Sequence, residues 1–268
     1  MKVGLTVNPG IPHARAAVEK VLPLLTKHTV VLEEEIAGHL DRKGKPLERM
    51  DVELVLAIGG DGTVLRALQR TTANVLGINS GSLGFLTEVT VDEFPAALRR
   101  LEAGEYRIEE RVKLRVDVDG ERLFDCTNEA VIHTASVAKI RDFEVWSNGT
   151  LVLRLRADGI IVATPTGSTS YNLSVGGPIV DPRVEALVIS AIAPFKPSAR
   201  ATVVPATAQV RVKLAKPKEC LLVLDGQHEV ALKGTEDVRF TGSEHRAKLV
   251  KFGDDFYRRI EEKLVGQR

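Results

Sequence analysis

The sequence has few cysteines and almost no net charge. Its 268 residues include two cysteines, Cys126 and Cys220, which form neither a CxxC pair nor a zinc-binding spacing. We therefore expect free, buried thiols in a reducing compartment. The formal net charge of +1 gives no basis for bulk electrostatic binding to nucleic acid or to an anionic membrane.

Long apolar runs are also missing. No run approaches the length that a bilayer-spanning helix needs, and the N-terminal residues MKVGLTVNPG are too short and too soon interrupted for a secretory signal. We therefore expect a cytoplasmic protein without a membrane or nucleic-acid partner. The length allows two modest domains or one large one.

Two common nucleotide-binding motifs are absent. The chain holds no G-x-x-x-x-G-K-[ST], which sets aside a P-loop NTPase. No G-x-G-x-x-G follows the first predicted strand, which argues against a dehydrogenase.

The chain is organised around residues 52–68, VELVLAIGGDGTVLRAL. The apolar run predicts a buried strand, and the pattern after the glycine turn predicts a helix with Thr63 as its N-cap. Such a turn suits phosphate, yet it holds Asp61, which is better suited to orienting a hydroxyl, accepting a proton or reaching phosphates through Mg²⁺. On these residues alone, a purely structural turn is an equally open alternative.

Strands and helices alternate through the first hundred residues. The predicted order is strand 3–7 with a turn at 8–10, helix 12–27 interrupted by Pro23, strand 29–32, the central strand, strand 75–78, and a helix from a capping box at 90–93 to about residue 103. The charged stretch 33–51 is predicted as an exposed loop with a short helix. This alternation predicts a Rossmann-like parallel sheet with ligand at the carboxyl ends of its strands.

After about residue 106 the pattern becomes rich in strands. Hairpin signals at 119–120, 148–149 and 225–226, with few helices, predict a β-rich, sandwich-like second domain over 107–252. The first domain is predicted over 1–106 and is expected to be joined by 253–268. In that final segment, Phe256, Ile260 and Leu264 form one apolar stripe of a predicted helix.

Three further stretches are unusually polar. Asn128 and Glu129, after an apparent strand at 123–127, offer groups that suit ribose hydroxyls and a base edge, although a surface strand end is the simpler interpretation. Residues 156–178 crowd hydroxyls between an apolar run and a short helix. Ser168 or Thr169 could cap that helix, but the number of hydroxyls exceeds what capping needs, which favours a functional role. Residues 225–227 predict only a hairpin turn.

Five blocks together resemble one enzyme family. GGDGT at 59–63 resembles the signature of NAD kinases, shared with diacylglycerol and sphingosine kinases and, more loosely, with phosphofructokinases. The blocks GINSGSLGFLTE at 77–88, NE at 128–129, RADGIIVATPTGSTSYNLSVGGPIV at 156–180 and DGQ at 225–227 resemble NAD kinase blocks in the family's order. The resemblance covers nearly the whole chain and implies an α/β domain, a β-rich domain and a C-terminal helix returning to the first.

The resemblance implies an activity and a set of site residues. The γ-phosphate of ATP, or of polyphosphate, would pass to the 2′-hydroxyl of the adenosine ribose of NAD, with Mg²⁺ or another divalent cation carried by ATP. Asp61 would be the catalytic carboxylate, so Asp61→Ala should lose turnover with little change in fold. The resemblance also implies binding residues. The phosphate-facing turn would consist of Gly59, Gly60, Gly62 and Thr63, the ribose and base would be held by Asn128 and Glu129, and the pocket would be lined by Thr169, Ser170, Tyr171, Asn172, Leu173 and Ser174. The rest of the dinucleotide would be reached by Asp158, with Arg156 as a charge partner to it or to phosphate, and further matching positions are Arg66, Lys139 and Gln227. A homodimer or homotetramer is also implied.

Two departures and two alternatives accompany this resemblance. Ser170 stands where many members have Ala, and APFKPSAR at 193–200 differs from the commoner versions of that segment. A lipid or sugar kinase of the GGDGT group predicts an exposed apolar patch or tunnel. A non-catalytic dinucleotide sensor would have no use for Asp61.

Overall fold

The computed structural model describes residues 1–8, 14–81, 84–136, 139–196, 199–254 and 256–266. The chain divides into two compact units, the first formed by 1–110 with 247–268 and the second by 111–246. Parts of four predicted features lie outside the described residues, namely the turn at 8–10, the start of the first helix, positions 82–83 of the second block and positions 197–198 of the divergent segment.

The elements follow in chain order. Up to residue 106 they are β1 Lys2–Val7, α1 Ala14–Val21, β2 Thr29–Glu33, α2 Glu34–His39, β3 Gly44–Lys45, β4 Leu54–Ile58, α3 Asp61–Arg70, β5 Asn74–Asn79, β6 Val89–Thr90 and α4 Phe94–Glu102. From there they are β7 Arg107–Val118, β8 Glu121–Arg122, β9 Glu129–Thr134, β10 Arg141–Ser147, β11 Thr150–Ala157, β12 Gly159–Ala163, α5 Tyr171–Ser174, β13 Ala186–Ile192, β14 Thr202–Pro205, β15 Val210–Leu214, β16 Cys220–Leu224, β17 His228–Leu232, β18 Val238–Lys251 and α6 Phe256–Ile260.

The first unit is built on a parallel sheet. Its strands lie in the order β5-β4-β1-β2-β3, and β6 and Leu249 of β18 pair with β5, also in parallel. Apolar side chains of this sheet are buried in two clusters, because residues of both faces are covered. The strand order reverses at β1, so the carboxyl ends of β1 and β4 form the edge where such sheets bind ligands. The predicted parallel α/β sheet is confirmed.

Local predictions in this unit had mixed outcomes. Pro23 lies in a 3₁₀ turn that ends α1, and Thr90 and Glu93 exchange the expected capping-box hydrogen bonds. The stretch 33–51 is more ordered than predicted, since it forms α2, β3 and a 3₁₀ turn with a buried Leu47. Thr63 is not the N-cap of α3, because the helix already begins at Asp61 and Gly60 occupies the cap position.

The second unit is a sandwich of two antiparallel sheets. One has the order β14-β13-β12-β9-β16-β17, and the other runs β11-β10-β15-β18, with β7 beside β18. Inward-facing residues of both sheets form one apolar cluster, as alternation along the strands requires. All three predicted hairpins are confirmed, and Asp119, Asn148 and Asp225 each have the positive φ of such turns (51°, 48° and 49°). The predicted strand at 123–127 is wrong: only Cys126 makes an isolated bridge there, so Glu129 opens a strand instead of following one.

The C-terminal helix buries a charged side chain, which its apolar stripe did not predict. Helix α6 continues as a π-helical turn, Glu261–Val265, and Leu264 is 40% exposed. The fully buried side chain of α6 is Arg259, whereas Phe256 and Ile260 of the predicted stripe are half-buried. Both cysteines are free and buried, as predicted. Within the described segments, no helix is long and apolar enough to cross a membrane.

Candidate functional site

Asp61 is fixed by three successive backbone amides. It is the first residue of α3, directly after β4 and the glycine pair. Its Oδ2 accepts the N–H of Phe85 at 2.7 Å, and its Oδ1 accepts those of Leu86 at 3.0 Å and Thr87 at 3.1 Å. Because Oδ2 accepts one hydrogen bond from the described residues, it keeps an acceptor position for another donor.

The segment that donates to Asp61 requires a glycine. A Cβ added to Gly84 would overlap the Asp61 carboxylate. The N–H of Gly84 donates to Oγ1 of Thr87 at 2.6 Å, which tightens the turn. This explains why the GFLTE end of the second block accompanies the GGDGT turn.

Arg66 is engaged within the first unit. Its guanidinium donates to Glu33 at 2.6 and 2.9 Å, to Oγ1 of Thr6 at 2.7 Å and to the carbonyl of Val7 at 3.0 Å. This partly buried ion pair joins α3 to the ends of β1 and β2. The described contacts therefore give Arg66 a structural role.

Asp225 repeats the arrangement of Asp61 in the second unit. Its Oδ2 accepts the N–H of Thr127 at 2.8 Å, and its Oδ1 accepts those of Asn128 at 2.8 Å and Glu129 at 3.1 Å. Spacing predicted only a hairpin turn here, and Asp225 was not among the predicted site residues. The one sequence signal that pointed to it was its place in the DGQ block.

Glu129 lies beside Asp225 as a second buried carboxyl group. Its Oε1 accepts the hydroxyl of Ser170 at 3.0 Å, while its Oε2 is buried with no partner among the described residues. Burial, together with the nearby Asp225 carboxylate, raises the pKa of Glu129 to about 8. Burial also raises the pKa of Asp225, to about 6, against the opposing effect of its three amide donors. The two carboxyl groups therefore hold a proton into the neutral range, mainly on Glu129.

The hydroxyl-rich block packs directly against Asn128 and Glu129. Oγ1 of Thr164 donates to the carbonyl of Thr127 at 2.6 Å, and a Cβ on Gly167 would overlap the carbonyl of Asn128. The block forms a 3₁₀ turn, Thr166–Thr169, followed by α5. Neither Ser168 nor Thr169 caps α5, because its N-cap position is Ser170 and no side chain caps it.

The hydroxyl-rich block also supplies side chains that differ in what they offer a ligand. Asn172 is fully buried and already bonded to the carbonyls of Ser168 and Pro178 and to the hydroxyl of Ser190. It therefore supports the block from within. Tyr171, in contrast, is 39% exposed, so its ring is available for stacking.

The other predicted site residues also differ in whether their side chains are available to a ligand. No described residue bonds the side chains of Asn128 and Asp158, so both are available to a ligand. Arg156 pairs with Asp142 at 3.6 Å, and no ion pair between Arg156 and Asp158 forms among the described residues; the predicted alternative, a contact with phosphate, stays a prediction. Lys139 and Gln227 are exposed.

Each unit contains buried side-chain oxygens that have no hydrogen-bond partner among the described residues. Besides Oε2 of Glu129, the hydroxyls of Thr63, Thr127 and Thr166 are buried without a partner in the described part of the chain. Since buried polar groups are normally hydrogen-bonded, Oε2 of Glu129 and the hydroxyls of Thr127 and Thr166 keep bonding capacity within the second unit. The described residues contain no cluster of three or more His, Cys, Asp or Glu side chains able to hold a metal ion.

The fixed carboxylate at the sheet edge suits a hydroxyl nucleophile, and comparison with known families identifies the class of protein as a two-domain phosphotransferase. Family models for the ATP-NAD kinase N-terminal and C-terminal domains match residues 3–106 and 127–252. The chain belongs to the NAD kinase family. The resemblance read from the five blocks is therefore confirmed.

Individual relatives are similar in sequence to this chain over almost its whole length. An NAD kinase of Thermoplasma acidophilum is 40% identical over 99% of this chain and 98% of its own length, and one of Methanothermobacter thermautotrophicus is 41% identical over 99% and 96%. Among solved structures, an Archaeoglobus fulgidus NAD kinase in complex with ATP matches with a TM-score of 0.77 and 28% identity, covering 98% of each chain. Yeast NADH kinase complexed with NADH shares the fold, with a TM-score of 0.88 at 23% identity, covering 100% of this chain and 88% of that one.

Proposed function

We propose that this protein transfers the terminal phosphate of ATP, or of polyphosphate, to the 2′-hydroxyl of the adenosine ribose of NAD, giving NADP. The observation that carries the proposal is the Asp61 carboxylate, fixed by three amides at the carboxyl edge of the sheet with an acceptor position left on Oδ2. That position suits the proton of a hydroxyl nucleophile. Membership of the NAD kinase family supports the choice of substrates.

In the proposed reaction the 2′-hydroxyl oxygen attacks the γ-phosphorus, and the bond to the leaving ADP oxygen breaks. The hydroxyl proton passes to Asp61 and then to solvent. Because phosphoryl transfer needs little covalent help, positioning carries most of the rate. Gly59, Gly60, Gly62 and Thr63 would face the phosphates.

The second unit would hold the dinucleotide. Asn128 offers a free amide, and Glu129 offers Oε2, which donates a hydrogen bond when protonated and accepts one when ionised. Asp158 and Tyr171 would contact the rest of the ligand. The family-matched positions Thr169, Leu173, Ser174, Arg66, Lys139, Arg156 and Gln227 stay predictions.

Several features of the working enzyme belong to the same proposal. A divalent cation, Mg²⁺ among them, would arrive on the ATP phosphates and neutralise charge there. We propose a homodimer or homotetramer in the cytoplasm. The sequence predicted an α/β domain carrying the GGDGT loop over 1–106 with 253–268, and an NAD-binding domain over 107–252. The two compact units, 1–110 with 247–268 and 111–246, differ from these bounds by four to six residues.

A coupled assay tests the proposal. Purified protein with Mg²⁺-ATP and NAD should form NADP, detected with an NADP-specific dehydrogenase. Asp61→Asn should abolish most of that signal, whereas Asp51→Asn, at an exposed aspartate paired with Lys2, should not. Parallel reactions with polyphosphate and with NADH identify the donor and acceptor. No phosphorylated product from any combination, or full activity in a folded Asp61→Asn protein, would refute the assignment.

A further inference from the structure

Arg259 is a buried cation that the site described above does not use. It lies on α6 and is 4% exposed. Its Nη1 donates to the carbonyls of Gly84 at 3.0 Å and Phe85 at 3.5 Å, and also to that of Thr87. The guanidinium therefore contacts the same short segment, residues 84–88 (the 84–88 loop), that binds Asp61.

The two sets of contacts share peptide groups. The carbonyl of Gly84 belongs to the same peptide unit as the N–H of Phe85, and the carbonyl of Phe85 to the same unit as the N–H of Leu86. Arg259 holds both carbonyls, while Asp61 accepts both amides. Two consecutive peptide dipoles thus lie between a guanidinium and a carboxylate, an arrangement in which each hydrogen bond strengthens the next.

A second carboxylate keeps the guanidinium in place. Oε2 of Glu88 accepts Nη2 of Arg259 at 3.2 Å and also binds Nζ of Lys251, while its Oε1 accepts the N–H of Phe252 at 2.7 Å. Glu88 and Lys251 are both buried. The C-terminal segment therefore holds the 84–88 loop through its carbonyl side, opposite the amides that bind Asp61.

We propose that Arg259 is a positioning residue for phosphoryl transfer, which holds the 84–88 loop so that its amides fix Asp61 for the incoming hydroxyl. This inference rests on the proposed catalytic role of Asp61. Since displacing a reacting group by about 1 Å can cost roughly 100-fold in rate, loss of the guanidinium should lower kcat without weakening substrate binding.

Kinetics of three variants test the proposal. Arg259→Met should lower kcat by about 10- to 100-fold while KM for NAD and ATP changes less than about threefold. Arg259→Lys, which keeps the charge but not the forked donors, should recover part of the loss. Arg258→Met is the matched control, because Arg258 directly precedes Arg259, its side chain is 68% exposed, and its Nε lies 3.7 Å from Oε1 of Glu262. Wild-type kcat in a folded Arg259→Met protein, or an equal loss in Arg258→Met, would overturn the proposal.

Hydrogen exchange provides a readout that does not need activity. The amides of Phe85, Leu86 and Thr87 should exchange at least about tenfold faster in Arg259→Met, while amides between β1 and β4 keep their wild-type rates. Unchanged exchange at the 84–88 loop would overturn the proposal. If the wild type forms no NADP, the proposed reaction fails, yet faster exchange at these amides would still establish that Arg259 holds Asp61. If Arg259→Met does not fold, Arg259→Lys carries the same comparison.

Discussion

The Asp225 carboxylate accepts the backbone N–H of Glu129 at 3.1 Å, so two buried carboxyl groups lie at one strand start. Three amides stabilise the ionised form of Asp225, whereas Glu129 has only the Ser170 hydroxyl. Burial raises both pKa values. The Asp225 charge raises that of Glu129 further, to about 8, while the three amides limit that of Asp225 to about 6. At neutral pH the pair therefore presents one neutral and one charged carboxyl group.

The first prediction concerns the pH dependence of stability. Glu129 loses its proton near pH 4.5 in the unfolded chain and near pH 8 in the folded protein. Between these values only the folded state binds the proton, so the free energy of unfolding falls as pH rises and levels off above about 8. Glu129→Gln removes this loss. From pH 6 to pH 8.5, its free energy of unfolding should therefore rise relative to that of wild type by on the order of 2–3 kcal/mol. Urea denaturation at both pH values measures it.

Asp225, with a pKa of about 6, is half ionised at the lower end of this window and almost fully ionised by about pH 7, so most of the window reports on Glu129. Glu229→Gln, at an exposed position of β17, is the control and should leave the pH dependence unchanged. Parallel stability curves for wild type and Glu129→Gln would show that Glu129 is ionised in the folded protein at pH 6.

The second prediction is that Asp225→Asn weakens both the fold and NAD binding. The single amide oxygen cannot serve three N–H donors, so the start of β9 loses part of its anchor. We expect a loss of about 1–3 kcal/mol in unfolding free energy and a several-fold higher KM for NAD. Asp119→Asn is the control, since Asp119 has a similar φ but accepts one described amide, that of Asp237. Equal effects of the two variants would contradict the anchoring role.

The third prediction concerns the hydroxyl of Ser170. Ser170→Ala removes the donor to Oε1 of Glu129, which raises the pKa of Glu129 further above its ordinary value. A net hydrogen bond of about 1 kcal/mol corresponds to roughly a five- to tenfold higher KM for NAD, with kcat retained. Steady-state kinetics measures this against Ser136→Ala, at an exposed serine outside the hydroxyl-rich block. An unchanged KM would mean that Glu129 does not depend on Ser170 for its orientation.

The fourth prediction is that Gly84→Ala disrupts Asp61. The new methyl group would overlap the carboxylate, so either Asp61 or the 84–88 loop must move. Turnover should fall by at least about tenfold, since reacting groups tolerate little displacement. Gly38→Ala, in α2 with open space around its Cβ position, should keep wild-type turnover. Retained activity in Gly84→Ala would show that the loop can rearrange without harm.

The sequence-based expectation that Asp61→Ala would barely affect the fold needs revision. Three backbone amides depend on that carboxylate, and leaving them without an acceptor costs about 1–3 kcal/mol each where they are buried. Any loss of turnover in Asp61 variants should therefore be measured beside a melting curve.

Sequence patterns predicted the elements of the fold whose structure depends on neighbouring residues. Alternating strands and helices, the Thr90–Glu93 capping box and the three hairpins are set by neighbouring residues, and all are present. The roles of Asp225 and Arg259 had no such signal, because their partners lie 96–98 and 172–175 residues away in the chain. The apolar stripe of α6 gave no sign of the buried Arg259, because periodicity treats an arginine as exposed, whereas the ion pair with Glu88 allows its burial.

Residues that follow the sandwich in the chain complete the first unit. Residues 247–251 of β18 add Ala247, Leu249 and Val250 to its apolar clusters, and Arg259 follows. The sandwich, in contrast, is encoded without interruption by 111–246. During translation the sandwich can therefore fold before the residues of β18 that pair with the parallel sheet have been synthesised. Asp61 therefore acquires its full support only after Arg259 has been synthesised, and a chain interrupted within the sandwich would carry the GGDGT turn without the Arg259 contacts that hold the 84–88 loop.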